Sequence, residues 1–157
     1  RGTYHFSRYY MTRWPTLQPN HQSSAQTGLN PMLPIAEMDL LKAEAYIRLN
    51  QPALAADLIN KTRVAIGELP PITETGVPAG ADCVPRWDGV TCGSLMQALM
   101  YEKRLQNAAT AAGVAYFDAR GWGTLLPGTQ VHFPVPAREL EILGLPFYRF
   151  GGVGNEK

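Results

Sequence analysis

After Pro34, apolar side chains recur at three- and four-residue steps: Ile35, Met38, Leu40 or Leu41, Ala45 and Leu49. That period predicts a helix over 35–49 with an apolar stripe along those positions. Lys42, Ala43, Glu44 and Ala45 are good helix formers and support it. Asn50 ends the helix and is placed to cap the next. Pro52 then suits a first helical position, where a missing N–H costs nothing. The pattern predicts a second helix over 52–66, with Ala55, Leu58, Ile59 and Thr62 on one face, Ile66 further on, and Gly67 as its C-cap. So short a connection makes the two helices an antiparallel hairpin. Ala43, Ala55 and Ala56 leave room for close packing.

A third helical pattern starts at Ser94, a good N-cap. Leu95, Leu99, Glu102 and Leu105 follow, with Met96, Met100 and Ala108 close by, and the helix is expected to reach Gly113. In VAYFDARGWG, Tyr116, Phe117, Ala119 and Trp122 are expected to bury one side of a short helix. Asp118 and Arg120 are read there as a structural pair, because unpaired charges among apolar neighbours are costly. Val131, Phe133 and Val135 alternate as an extended piece. Pro134 and Pro136 argue against a central strand. Ala137 to Leu143 reads as one or two helical turns.

The remaining segments have no helical period. Residues 1–34 hold Pro15, Pro31 and Pro34 and a dense set of aromatics: Tyr4, Phe6, Tyr9, Tyr10 and Trp14. They read as an extended arm that docks on the helices, or serves as a ligand platform or a subunit contact. Residues 68–93 carry Pro70, Pro71, Pro78 and Pro85 among glycines and read as a long irregular loop. Within it lie Cys83 and Cys92. Their spacing suits a short disulfide loop, with free thiols as the alternative. Closing the loop would contribute about 2–3 kcal/mol. Trp87 sits between the cysteines, with Asp88 beside it. It either stacks on a sugar or base or packs on the helices.

The fold class is therefore mostly α: a helical hairpin plus further helices, with long irregular loops and an extended N-terminal arm. Its 157 residues suit one domain, and the net charge of +1 gives no field toward nucleic acid or an acidic membrane. No apolar run approaches the ~20 residues of a membrane span. Arg1–Tyr10 contains no apolar signal-peptide core. His5, His21 and His132 are scattered and lie away from the cysteines, so neither a metal site nor a cofactor is expected. Glu102, Asp118, Glu139 and Glu141 are carboxylates that no pattern places in pairs across a cleft, and no nucleophile arrangement or phosphate loop is present. The reading is a binding or scaffold protein, not an enzyme.

Ala43, Tyr46, Asn50, Ala55 and Ile59 match the small, aromatic, turn, small and large positions of a tetratricopeptide hairpin, with Asn50 where glycine is usual and Thr62 in place of alanine. Three blocks then carry a wider resemblance. They are PMLPIAEMDLLKAEAYIRLN continuing through PALAADLINKTRVAIGELP at 52–70, LMYEKRLQNAATAAGVAYFDARGWG at 99–123, and GTQVHFPVPARELEILG at 128–144. In this order they resemble the C-terminal part of the SusD/RagB family of outer-membrane nutrient-binding lipoproteins. Leu33–Pro34–Ile35 stands where the family usually carries an arginine, and Gln106 where a second acid is common. The resemblance implies a SusD-like helical domain over 35–157, with the arm at 1–34. It also implies a fragment, a processed piece or a short offshoot, because full family members are much longer and lipidated. It implies capture of glycan or peptide nutrients at the outer-membrane surface and hand-off to a TonB-dependent, SusC-like transporter. Trp87, Trp14 and Tyr10 are the ligand-stacking candidates, chosen for their chemistry. The alternative is a structural subunit of an extracellular oligomer or fibre, joined through the arm.

Overall fold

In the computed structural model, the described residues are 32–108, 110, 113–131 and 135–146. The 1–34 arm lies outside them apart from Met32, Leu33 and Pro34. Trp14, Tyr10, His5, His21, His132 and Phe133 lie outside them as well. The described residues form five helices and no sheet. These are α1 (Ile35–Arg48), α2 (Pro52–Ala65), α3 (Leu95–Gln106), α4 (Val114–Gly121) and α5 (Ala137–Ile142). The chain divides into two compact units between residues 112 and 113.

In the first unit each of α1, α2 and α3 packs on the other two. The shared core is Leu40 and Ala43 from α1, Ala55, Ala56 and Ile59 from α2, and Leu95, Ala98 and Leu99 from α3, closed by Ile72 of the loop. Small side chains at the α1–α2 seam let the backbones approach, and burying Leu40, Ile59 and Leu99 contributes about 1.5–3 kcal/mol each. Outside the core, the Lys61 ammonium lies 2.9 Å from Asp39 and ties α2 to α1.

The α1 face differs from the expected stripe. The residues turned inward are Glu37, Leu40 and Ala43. Ile35 and Met38 are 82% and 51% exposed, and Leu41, Ala45 and Leu49 are exposed too. This helix is apolar on more than one side, so periodicity alone does not choose the packed side. Asn50 also differs. It does not cap α2; Gln51 occupies that position. Asn50 instead makes the turn, with φ of 57°, a left-handed conformation that asparagine tolerates better than most residues. Pro52 does open α2. Gly67 follows the helix, where a Cβ would lie 2.8 Å from the Arg63 carbonyl oxygen.

Ser94 caps α3 as expected. Its hydroxyl accepts the Gln97 N–H, and the Gln97 side-chain oxygen accepts the Ser94 N–H at 2.9 Å, a reciprocal capping box. The helix ends at Gln106 rather than near Gly113, with Asn107 as its C-cap.

The loop between α2 and α3 is irregular, as its prolines predict, but it is tightly anchored. The Asn60 side chain accepts the Ile72 N–H at 2.9 Å and donates to the Ile72 carbonyl at 3.0 Å, as a neighbouring strand would. The Val77 N–H reaches the Gly93 carbonyl, and the Gly93 N–H reaches the Pro85 carbonyl, both at 2.9 Å.

In the second unit, α4 carries no fully buried residue, and Phe117 is 63% exposed. The expected apolar side is therefore only half covered. The Tyr116 hydroxyl donates to the Gln130 carbonyl, and Leu140 of α5 is buried.

Candidate functional site

A buried guanidinium is one of the anchors of the Trp87 loop. Arg63, near the end of α2, donates from Nε to the Pro70 carbonyl at 2.7 Å and from Nη2 to the Val84 carbonyl at 2.6 Å. Its Nη1 lies 3.4 Å from the Glu102 carboxylate, and the two side chains are 1% and 2% exposed. The Thr62 hydroxyl adds a hydrogen bond to the other Glu102 oxygen at 3.3 Å. One side chain thus joins α2, two loop segments and α3. Burial pushes the Glu102 carboxyl above its ordinary range, against the pull of Arg63, and pushes the Arg63 guanidinium below its own. Lys103, also buried, lies 3.7 Å from Glu44, which Arg48 contacts at 2.7 Å.

Beyond Val84 the chain closes on itself. Cys83 and Cys92 form a disulfide, with Cα atoms 5.6 Å apart. Inside the ring Arg86 bridges to Cys92 in antiparallel fashion. Its guanidinium donates to the Gly80 and Ala81 carbonyls. Asp88 and Gly89 make the return, with glycine at φ 78°. The Asp88 carboxylate accepts the Val90 N–H at 2.9 Å, the Thr91 N–H at 2.6 Å and the Thr91 hydroxyl at 2.7 Å. The Thr91 hydroxyl, followed by these two backbone N–H groups, lowers the Asp88 pKa to about 2.

Trp87 stands on this ring with 40% of its surface exposed. The Arg104 guanidinium of α3 lies over the indole, 4.8 Å from its centre, a cation–π contact worth about 0.5–1 kcal/mol at an exposed site. Trp87, Asp88, Thr91 and Gln97 line an open depression of 230 Å³. This is smaller than the roughly 300 Å³ at which drug-sized pockets begin, so it suits one ring rather than a long buried ligand.

Of the sequence candidates, Trp87 therefore lines a depression, and Cys83 and Cys92 form the disulfide that carries it. Asp118 and Arg120 lie two positions apart on α4, with Asp118 half-buried and Arg120 exposed. Glu102 is held in the Arg63 pair, and Glu139 and Glu141 are exposed. Among the described residues no group of three or more His, Cys, Asp and Glu side chains could hold a metal ion. No helix among them is long and apolar enough to cross a membrane.

Sequence reasoning missed Thr91, Gln97, Arg104 and Arg63. Two of these carried a signal. Thr91 follows Asp88–Gly89 at the spacing of an aspartate-closed turn. Gln97 follows Ser94 at capping-box spacing. Arg63 and Arg104 act across long sequence separations, and no local pattern marks them. Compared with known families, curated proteins and solved structures, the chain matches none.

Proposed function

We propose that this chain serves as a saccharide-binding part of a cell-surface nutrient-capture protein of the SusD/RagB kind, handing its ligand to a TonB-dependent transporter. The observation that carries the reading is Trp87. A half-exposed indole on a disulfide-closed loop, beside Asp88, Thr91 and Gln97, combines an apolar face with polar groups at its edge. Sugar rings present the same combination, with apolar C–H faces and hydroxyl rims. The three sequence blocks support the family assignment. The α1–α2 hairpin, with Ala43 and Ala55 buried at its seam, supports a tetratricopeptide-like unit. Glycan-array binding by the oxidised protein tests the reading. Selective saccharide binding is expected, and an array with no bound glycan contradicts it.

One observation favours a second reading, a structural subunit of an oligomer. Ile35, Met38 and Leu41 leave an apolar stripe on α1 exposed, next to exposed Met32 and Leu33. Size-exclusion chromatography separates the two readings. A monomer that binds glycans fits nutrient capture, and an obligate oligomer without glycan affinity fits the subunit.

A further inference from the structure

The polar groups around Trp87 are specific about what they accept. Asp88 Oδ1 already accepts two N–H groups, and Oδ2 accepts the Thr91 hydroxyl. A carboxylate has about four lone-pair sites, so one remains on Oδ2. The Thr91 hydroxyl donates its O–H to Asp88, so toward a ligand it is an acceptor. Gln97 has committed its oxygen to the Ser94 N–H, which leaves its –NH2 as a donor. Among the described residues the rim therefore offers two acceptors, one of them charged, and one neutral donor. Arg104 lies over the indole but does not line the depression.

We infer that the Trp87 depression takes a single neutral pyranose ring and discriminates against rings bearing a carboxylate or sulfate. The ring stacks on the exposed part of the Trp87 indole. One of its hydroxyls donates to Asp88 Oδ2, a second donates to the Thr91 oxygen, and the Gln97 amide donates to a ring or hydroxyl oxygen. Hydroxyl donors gain a charge-assisted bond at Asp88. An anionic substituent in the same place meets a like charge that persists at neutral pH, since Asp88 ionises at about 2. The inference rests on the saccharide reading above.

The test is titration of the oxidised protein at neutral pH with the methyl glycosides of glucose, galactose and mannose and with methyl glucuronide, followed by calorimetry and saturation-transfer NMR. At least one neutral glycoside is expected to bind about tenfold or more tightly than the glucuronide. Trp87→Ala is expected to lose that binding about tenfold, as removal of an aromatic stacking partner implies. Asp88→Asn, which keeps an oxygen to hold the turn, is expected to narrow the gap between neutral and acidic rings. A glucuronide that binds as tightly as the neutral rings overturns the inference and leaves the saccharide reading standing. Neutral binding that Trp87→Ala does not change also overturns it. Absence of any saccharide binding, here and on the array, overturns both.

Discussion

Arg63 and Glu102 face each other at 3.4 Å with both side chains buried. The same guanidinium holds the carbonyls of Pro70 and Val84, so the pair is a joint between the helical core and the loop that carries the disulfide-closed ring. Removing one partner of a buried pair leaves the other uncompensated. Arg63→Met is therefore expected to lower stability by about 3–5 kcal/mol, read as a fall in the urea midpoint. The double variant Arg63→Met with Glu102→Leu is expected to recover part of that loss, because it buries no lone charge. Equal loss in both would show that the loop carbonyls, not the charge, dominate.

The disulfide sets a second expectation. Opening the Cys83–Cys92 ring frees a short loop, at a cost of about 2–3 kcal/mol. The paired Cys83→Ser and Cys92→Ser variant is expected to fold with a lower melting temperature and weaker saccharide binding, since Trp87 stands on that ring. Unchanged affinity in the folded variant would place the ligand elsewhere.

How much of this was legible in the chain differs from element to element. Ser94 and Pro52 mark the starts of α3 and α2 through chemistry that acts within a few residues, and both helices begin where these residues predict. The α1 face was not legible, because Ile35 and Met38 carry the same local signal as Leu40 and Ala43. Only packing against α2 and α3 selects between them. The site shows the same split. Trp87 and the cysteines stand out by residue type and spacing. Arg104 over the indole and Arg63 under the loop arise from tertiary contacts, which no period in the sequence encodes.

The loop's pH response follows from Asp88. Its folded pKa of about 2 lies below the ordinary 3.8, so its contribution is fully present above the ordinary value and is lost as the pH falls toward 2. Carboxyl NMR titration is expected to place its midpoint near 2, with Trp87 fluorescence changing over the same range. A midpoint near 3.8 would remove the hydrogen-bonded turn from the account. Glu102 has the opposite sign. Burial raises its pKa, so its contribution is present below the ordinary carboxylate range and declines as the pH rises through the raised value. Glu102→Gln is expected to flatten that part of the stability profile.

Two glycines in the loop separate backbone need from chance. Gly76 has φ of 116°, and a Cβ there would lie 2.7 Å from the Gly93 carbonyl oxygen. Gly76→Ala is expected to cost at least about 1–3 kcal/mol. Gly80 has nothing within 4 Å of such a Cβ. Gly80→Ala is expected to stay within about 0.5 kcal/mol of the parent. Thermal unfolding of the two variants side by side checks the contrast.

Saccharide binding at Trp87 is decided by calorimetric titration of the best array glycan into the oxidised parent and into Trp87→Ala. Saturable binding to the parent is expected, with a loss of about tenfold or more in the variant and the same helical content in both proteins. Equal affinity in the two proteins would contradict it.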